Sequence, residues 1–166
     1  RRNDGICTLA FAPMADARNS IRLAVSGWDE CVAVYDVTSG VLTFEFKREH
    51  VIRALAFSYD GQRLVAGGDD KTVALLDVAS SEFRHRLGCD DDVWAVDFSP
   101  DGHSLAVGVR SGKVALYNVT TTGVERRDDL RFRRDKAVRT VAFSPDSKLL
   151  AIGSEDYKVA VYAVSN

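Results

Sequence analysis

A chain of 166 residues is long enough for one domain with a sizeable core, and with 46% hydrophobic and 28% charged residues it lies outside the range of disordered sequences. Its 22 basic residues against 24 acidic ones leave a formal charge of −2, so no bulk field draws in nucleic acid or an anionic membrane, and such a partner needs a local patch. No apolar run has the length of a membrane-spanning helix, and the first residues lack the apolar stretch of a signal peptide, so the expectation is a soluble protein.

In chain order, Ile6 to Phe11 (ICTLAF) is apolar at its first and fourth positions and carries Phe at its sixth. An insertion, Met14 to Ser20, separates it from a second strand-like segment, Arg22 to Gly27. Next come an apolar, β-branched run, Val32 to Val37, and a looser alternating segment, Val41 to Lys47. The same order then returns as Ile52 to Ser58, Arg63 to Gly68, Val73 to Val78 and Glu82 to Leu87. It returns again as Val93 to Pro100, Ser104 to Gly108, Val114 to Val119 and Glu125 to Arg133. A fourth round has Val138 to Pro145, Lys148 to Gly153 and Val159 to Val164, with no fourth segment following. Tyr59-Asp60-Gly61, Pro100-Asp101-Gly102 and Pro145-Asp146-Ser147 sit where a tight reversal is due, and their residue types favour one.

Phe11, Phe57, Phe98 and Phe143 are 46, 41 and 45 residues apart, and Val37, Val78, Val119 and Val164 are 41, 41 and 45 apart. A period of about 40 to 45 residues holding four strands is that of a propeller blade, whereas a helical repeat of this length shows 3.6-residue periodicity. The inner segments are apolar on successive residues, which requires cover on both sheet faces, as when blades stack. The expected fold is all-β: four-stranded antiparallel blades, about four of them, the last lacking its outer strand. The repeats run approximately 6–50, 52–92, 93–137 and 138–166.

At these residues, over essentially its whole length, the chain resembles the WD-repeat β-propeller family. The resemblance implies that each phrase supplies the three inner strands of a blade and that the fourth strand lies outermost. It matches the family's turn aspartate to Asp29, Asp70 and Asp156, with Ser111 in the third copy, and its structural histidine to His50, with Asp4, Asp91 and Lys136 elsewhere. The family's strand serine or threonine is replaced by Val25, Ala66, Val107 and Ile152, and its tryptophan by Tyr35, Leu76, Tyr117 and Tyr162. No complete polar network survives, so packing is expected to order the blades. Family propellers generally have seven or so blades, about 290 residues at this period. The expected alternatives are a piece of a longer protein, a ring closed by two copies, or a small four-bladed ring.

The resemblance also implies a binding face at the open end of the channel. It is built from the start of each first strand (Cys7, Arg53, Trp94, Arg139) and the turn before each third strand (Trp28, Asp69, Arg110, Glu155). Trp and Arg dominate interface energetics because they bury large area while offering directed polar contacts. Trp28, Arg53, Asp69, Trp94, Arg110, Arg139 and Glu155 are therefore the candidate partner-binding residues, and a protein or peptide is the expected ligand. The bland readings are inter-blade packing for the tryptophans and rim ion pairs for the arginines.

The alternative function is nucleic-acid or phospholipid binding through residues 126–136, where six basic residues alternate with Leu130, Phe132 and three aspartates; the bland reading is an outer strand with one face turned inward. No spacing of nucleophile, base or metal ligands points to catalysis, so the chain reads as a non-enzymatic scaffold with no cofactor or metal. Gly108 to Val114 is one residue short of a phosphate loop and has Val where the metal-binding hydroxyl belongs. His50, His85 and His103 fall in different repeats. Cys7, Cys31 and Cys89 are odd in number and lie in no metal-ligand spacing, which favours a reducing compartment, the cytoplasm or the nucleus.

Overall fold

The computed structural model describes residues 4–13, 20–120 and 123–164, with the main chain alone at 128–131. Most of the insertion after the first strand lies outside the described residues. Every helix or strand among them is a strand, and the strands form four antiparallel sheets in simple meander order. The first sheet holds β1 (Ile6–Phe11), β2 (Arg22–Gly27), β3 (Cys31–Asp36) and β4 (Val41–Lys47). The second holds β5 (Ile52–Phe57), β6 (Arg63–Gly68), β7 (Thr72–Asp77) and β8 (Glu82–Gly88). The third holds β9 (Val93–Phe98), β10 (Ser104–Val109), β11 (Lys113–Val119) and β12 (Val124–Arg133). The fourth has only β13 (Val138–Phe143), β14 (Leu149–Ser154) and β15 (Val159–Ala163).

The turn from first to second strand is built the same way in the last three sheets, and its residues explain why it forms. Ser58 Oγ donates to Asp60 Oδ1 at 2.6 Å, and that oxygen also accepts Gln62 N–H at 2.9 Å. Ser99, Asp101 and His103 repeat the arrangement, as do Ser144, Asp146 and Lys148. Such a side-chain bond replaces a ladder bond at the point where the chain must reverse.

Three apolar layers lie between successive sheets. Leu55, Phe57, Leu64 and Leu76 of the second sheet meet Ala24, Val32 and Val34 of the first. Val96, Phe98, Leu105 and Tyr117 of the third meet Ala54, Val65 and Leu75 of the second. Val141, Leu150, Ile152 and Tyr162 of the fourth meet Ala95, Ala106 and Leu116 of the third. Large residues on one face fill against small ones on the next, as dense packing requires. A Cβ on Gly67 would come within 2.3 Å of Val93 Cγ1, and one on Gly108 within 2.5 Å of Val138 Cγ1, so glycine lets adjoining sheets approach at these points.

The small four-bladed ring does not form. On the first sheet Ile6, Leu9 and Phe11, which correspond to the buried Ile52, Leu55 and Phe57 of the second, face water, Leu9 at 58% exposure. On the fourth, Val159 and Val161, which correspond to the buried Val73 and Leu75, also face water, Val159 at 74%. With both end faces uncovered, the four blades form an open arc.

Candidate functional site

In each sheet the ladder between first and second strand is interrupted near its start. Ile6 pairs with Gly27 and Thr8 with Ser26, Ile52 with Gly68 and Ala54 with Gly67. Likewise Val93 pairs with Val109 and Ala95 with Gly108, Val138 with Ser154 and Thr140 with Gly153. The residue left over each time is Cys7, Arg53, Trp94 or Arg139. A bulge removes its residue from the ladder and re-aims the side chain. Across the bulge, the turn residue donates its N–H to the carbonyl just before the first strand: Trp28 to Gly5 at 3.0 Å, Asp69 to Val51 at 3.0 Å, Arg110 to Asp92 at 2.9 Å and Glu155 to Ala137 at 3.0 Å. In the first two sheets glycine makes room for this approach, since a Cβ on Gly68 would stand 2.4 Å from the Val51 oxygen and one on Gly27 2.1 Å from that of Gly5, while Val109 and Ser154 hold the facing position in the other two.

The side chains so aimed converge. The Arg53 guanidinium carbon lies 5.4 Å from the centre of the Trp28 ring and 5.7 Å from that of Trp94. Arg139 stacks on Trp94 at 4.4 Å, and Arg110 approaches the same ring at 5.9 Å. Three blades thus place a guanidinium against one indole, an arrangement favoured by the ring quadrupole. Each arginine also meets a carboxylate. Arg53 donates through Nε and Nη2 to Asp69 at 2.5 and 2.7 Å, which raises its pKa, and Arg139 donates to Glu155 Oε1 at 2.8 and 2.5 Å. Arg110 Nη1 lies 3.3 Å from Asp92 Oδ2. Trp28 is exposed and Trp94 half-buried. All seven candidate binding residues therefore share one face. Cys7 lies at its margin, unpaired and exposed. Asp92 is a member that sequence reasoning passed over; its place directly before the first strand of the third repeat was the available signal.

The turn aspartates behave differently. His50 is exposed, and Asp70 is reached by Arg48, two residues earlier, which therefore fills the role matched to the histidine. Arg48 is buried; it donates to the Asp70 carboxylate and Thr72 Oγ1 through Nη2, and to Ala66 O at 2.7 Å through Nη1. Burial pulls the Asp70 carboxyl upward, but the bonds from Arg48 and Arg86 outweigh it and hold the group below the usual carboxylate range. One sheet further round, at the corresponding position, Cys89 takes the arginine's place, with Tyr117 across from it and Ser111 in the turn. Burial raises the Cys89 thiol to about 11 and the Tyr117 hydroxyl to about 12, so both stay neutral. At the next, Arg134 Nη2 lies 2.8 Å from Asp156 Oδ2, and a bond to Tyr162 raises the Arg134 pKa. Asp29 Oδ1 accepts Cys31 N–H at 3.4 Å. Buried arginine, where histidine was expected, thus supplies polar order that a packing-only account leaves out.

The stretch at 126–136 forms most of β12. Phe132 is buried with its ring 4.6 Å from that of Tyr162, and Arg134 is committed to Asp156. The side chains of residues 128–131 lie outside the described residues. In the acidic run Asp90-Asp91-Asp92, Asp90 pairs with Lys113 at 2.8 Å and Asp92 with Arg110. Among the described residues no three His, Cys, Asp or Glu side chains gather as a metal cage, and no helix is long and apolar enough to cross a membrane.

The profile of the WD40 family (WD domain, G-beta repeat) matches three segments, 40–77, 81–118 and 130–162. The first two segments each take the outer strand of one sheet together with the three inner strands of the next, and the third takes the end of β12 with the three strands of the fourth sheet. No individual curated protein matches the chain at a significant level. The matched segments cover well over half of the sequence and follow the period of the sheets, and the chain belongs to the WD40 repeat family.

Proposed function

We propose that the chain is a non-enzymatic scaffold that binds a protein or peptide on the face formed by Trp28, Arg53, Asp69, Trp94, Arg110, Arg139 and Glu155. WD40 repeats are in general protein–protein interaction modules. The observation that carries the reading is the bulge repeated in four sheets, which takes Arg53, Trp94 and Arg139 off the ladder and gathers them beside the turn residues, with Trp28 exposed and three guanidiniums on Trp94. Aromatic and arginine side chains held in one place bury large area with little ordering cost, the makings of an interface centre.

The test compares proteins retained from source-cell extract by the full chain and by Trp28→Ala and Arg139→Ala variants, with circular dichroism to verify folding. Retention that both variants lose supports the face; retention unchanged in both removes it from consideration. The nucleic-acid or phospholipid alternative is disfavoured by the inward Phe132 and the committed Arg134, and it calls for RNA, DNA or vesicle retention that falls steeply with salt.

The same proposal takes the two uncovered end faces as ring-closing surfaces, met by further blades of a longer protein or by a second copy. The three cysteines, odd in number and joined by no disulfide among the described residues, favour a reducing setting, the cytoplasm or the nucleus.

A further inference from the structure

The binding face has a chemical preference, which rests on the function proposed above. Its three arginines face three carboxylates, so formal charge alone does not decide the ligand. The depth of the charges does. The Arg110 side chain is 60% exposed over an Asp92 at 15%, and Arg139 is 58% exposed over a Glu155 at 39%. At these two pairs an arriving group meets guanidinium first, whereas Arg53 and Asp69, at 28% and 25%, lie level with each other.

The donors are also incompletely used. Arg53 and Arg139 spend Nε and Nη2 on their acids, and neither makes a bond through Nη1 among the described residues. Arg110 spends only Nη1, leaving Nε and Nη2. Contact with the Trp94 ring restrains these guanidiniums, which lowers the ordering cost of presenting the remaining N–H groups to a partner. A planar guanidinium edge with two free donors matches a carboxylate, which accepts both.

We propose that Arg110 and Arg139, gathered with Arg53 on the Trp94 ring, bind the carboxylates of an acidic peptide segment. Trp28, exposed at the far side of Arg53, covers apolar parts of the same segment.

The test titrates the full chain against fluorescein-labelled peptides of alternating glutamate and glycine, glutamine and glycine, and phosphoserine and glycine, read by anisotropy and by tryptophan emission. The glutamate peptide is expected to bind, to quench or shift the emission, and to weaken as sodium chloride is added, while the glutamine peptide does not bind. Arg110→Gln and Arg139→Gln are each expected to weaken binding about tenfold or more with unchanged circular dichroism. Arg63→Gln, remote from this face, is expected to leave binding unchanged. Equal binding of glutamate and glutamine peptides, or full binding by the double arginine variant, overturns the proposal. Binding confined to the phosphoserine peptide overturns the carboxylate assignment. If the glutamate peptide fails while partner capture still depends on Trp28 and Arg139, the face stands and its acidic preference falls.

Discussion

Arg48 and Asp97 show how single side chains join one blade to the next. Arg48 ends the first sheet yet caps the turn of the second, and its removal would leave Asp70 buried without its main counter-charge. Arg48→Ala is expected to cost about 3–5 kcal/mol in a chemical denaturation experiment, whereas His50→Ala, at an exposed position, is expected to stay within about 0.5 kcal/mol of the parent. Asp97 accepts the Phe143 N–H of the fourth sheet at 2.8 Å, and burial pushes its carboxyl up to about 6 despite that bond. Because the folded-state value exceeds that of the unfolded chain, the fold favours the protonated acid. The stability so contributed is full below about pH 4 and is lost as pH rises through about 6. Asp97→Asn keeps an acceptor for Phe143 and removes the charge, so thermal melts at pH 7 are expected to show a gain of about 2 kcal/mol, with a flatter profile between about pH 4 and pH 6. The arginine caps were within reach of sequence reasoning: Arg48 and Arg134 both stand four residues before the apolar residue that opens a first strand, Ile52 and Val138. The family's histidine has its match at His50, two residues beyond that spacing. The Asp97 bond was not legible, because only folding brings Phe143 beside it.

At the scale of the element, strand positions were legible because burial on both faces leaves an unbroken apolar signature. Arg22–Gly27 and Arg63–Gly68 agree to the residue with expectation, and the expected outer strands differ from β8 and β12 by a single residue at one end. Bulges leave no such mark, since the bulged residue is Cys, Arg, Trp or Arg with no common chemistry. Their nearest trace is glycine at the facing position, Gly27 and Gly68, which reads equally well as a turn signal. Glycine also sets the spacing between blades. Gly67→Ala would force Val93 to move and is expected to destabilise the protein by about 1–3 kcal/mol in denaturant titration. Gly88→Ala, where an added Cβ meets nothing within 4 Å, serves as the matched control.

At the scale of the molecule, the four blades leave one face uncovered at each end, and the two differ. The first sheet shows the larger residues, Leu9 and Phe11, and the fourth shows Val159 and Val161 beside Ala142. Within the arc every layer joins a face of the first kind to one of the second. The 166-residue chain alone is expected to sediment above its 18.2 kDa monomer mass as concentration rises, and Val161→Lys to restore the monomer. A monomer at all concentrations would mean that these faces need blades from elsewhere in a longer protein. The blade count was legible from the period, whereas the open ends became visible only once side-chain exposure was known. Contact between unlike faces carries a hazard that contact between like faces does not: it has head and tail, and nothing in the pairing itself tells it to stop. Whether added units return to the start or wind onward as a fibre depends solely on the angle contributed by each, so a small change in inter-blade tilt could turn a soluble assembly into a polymer.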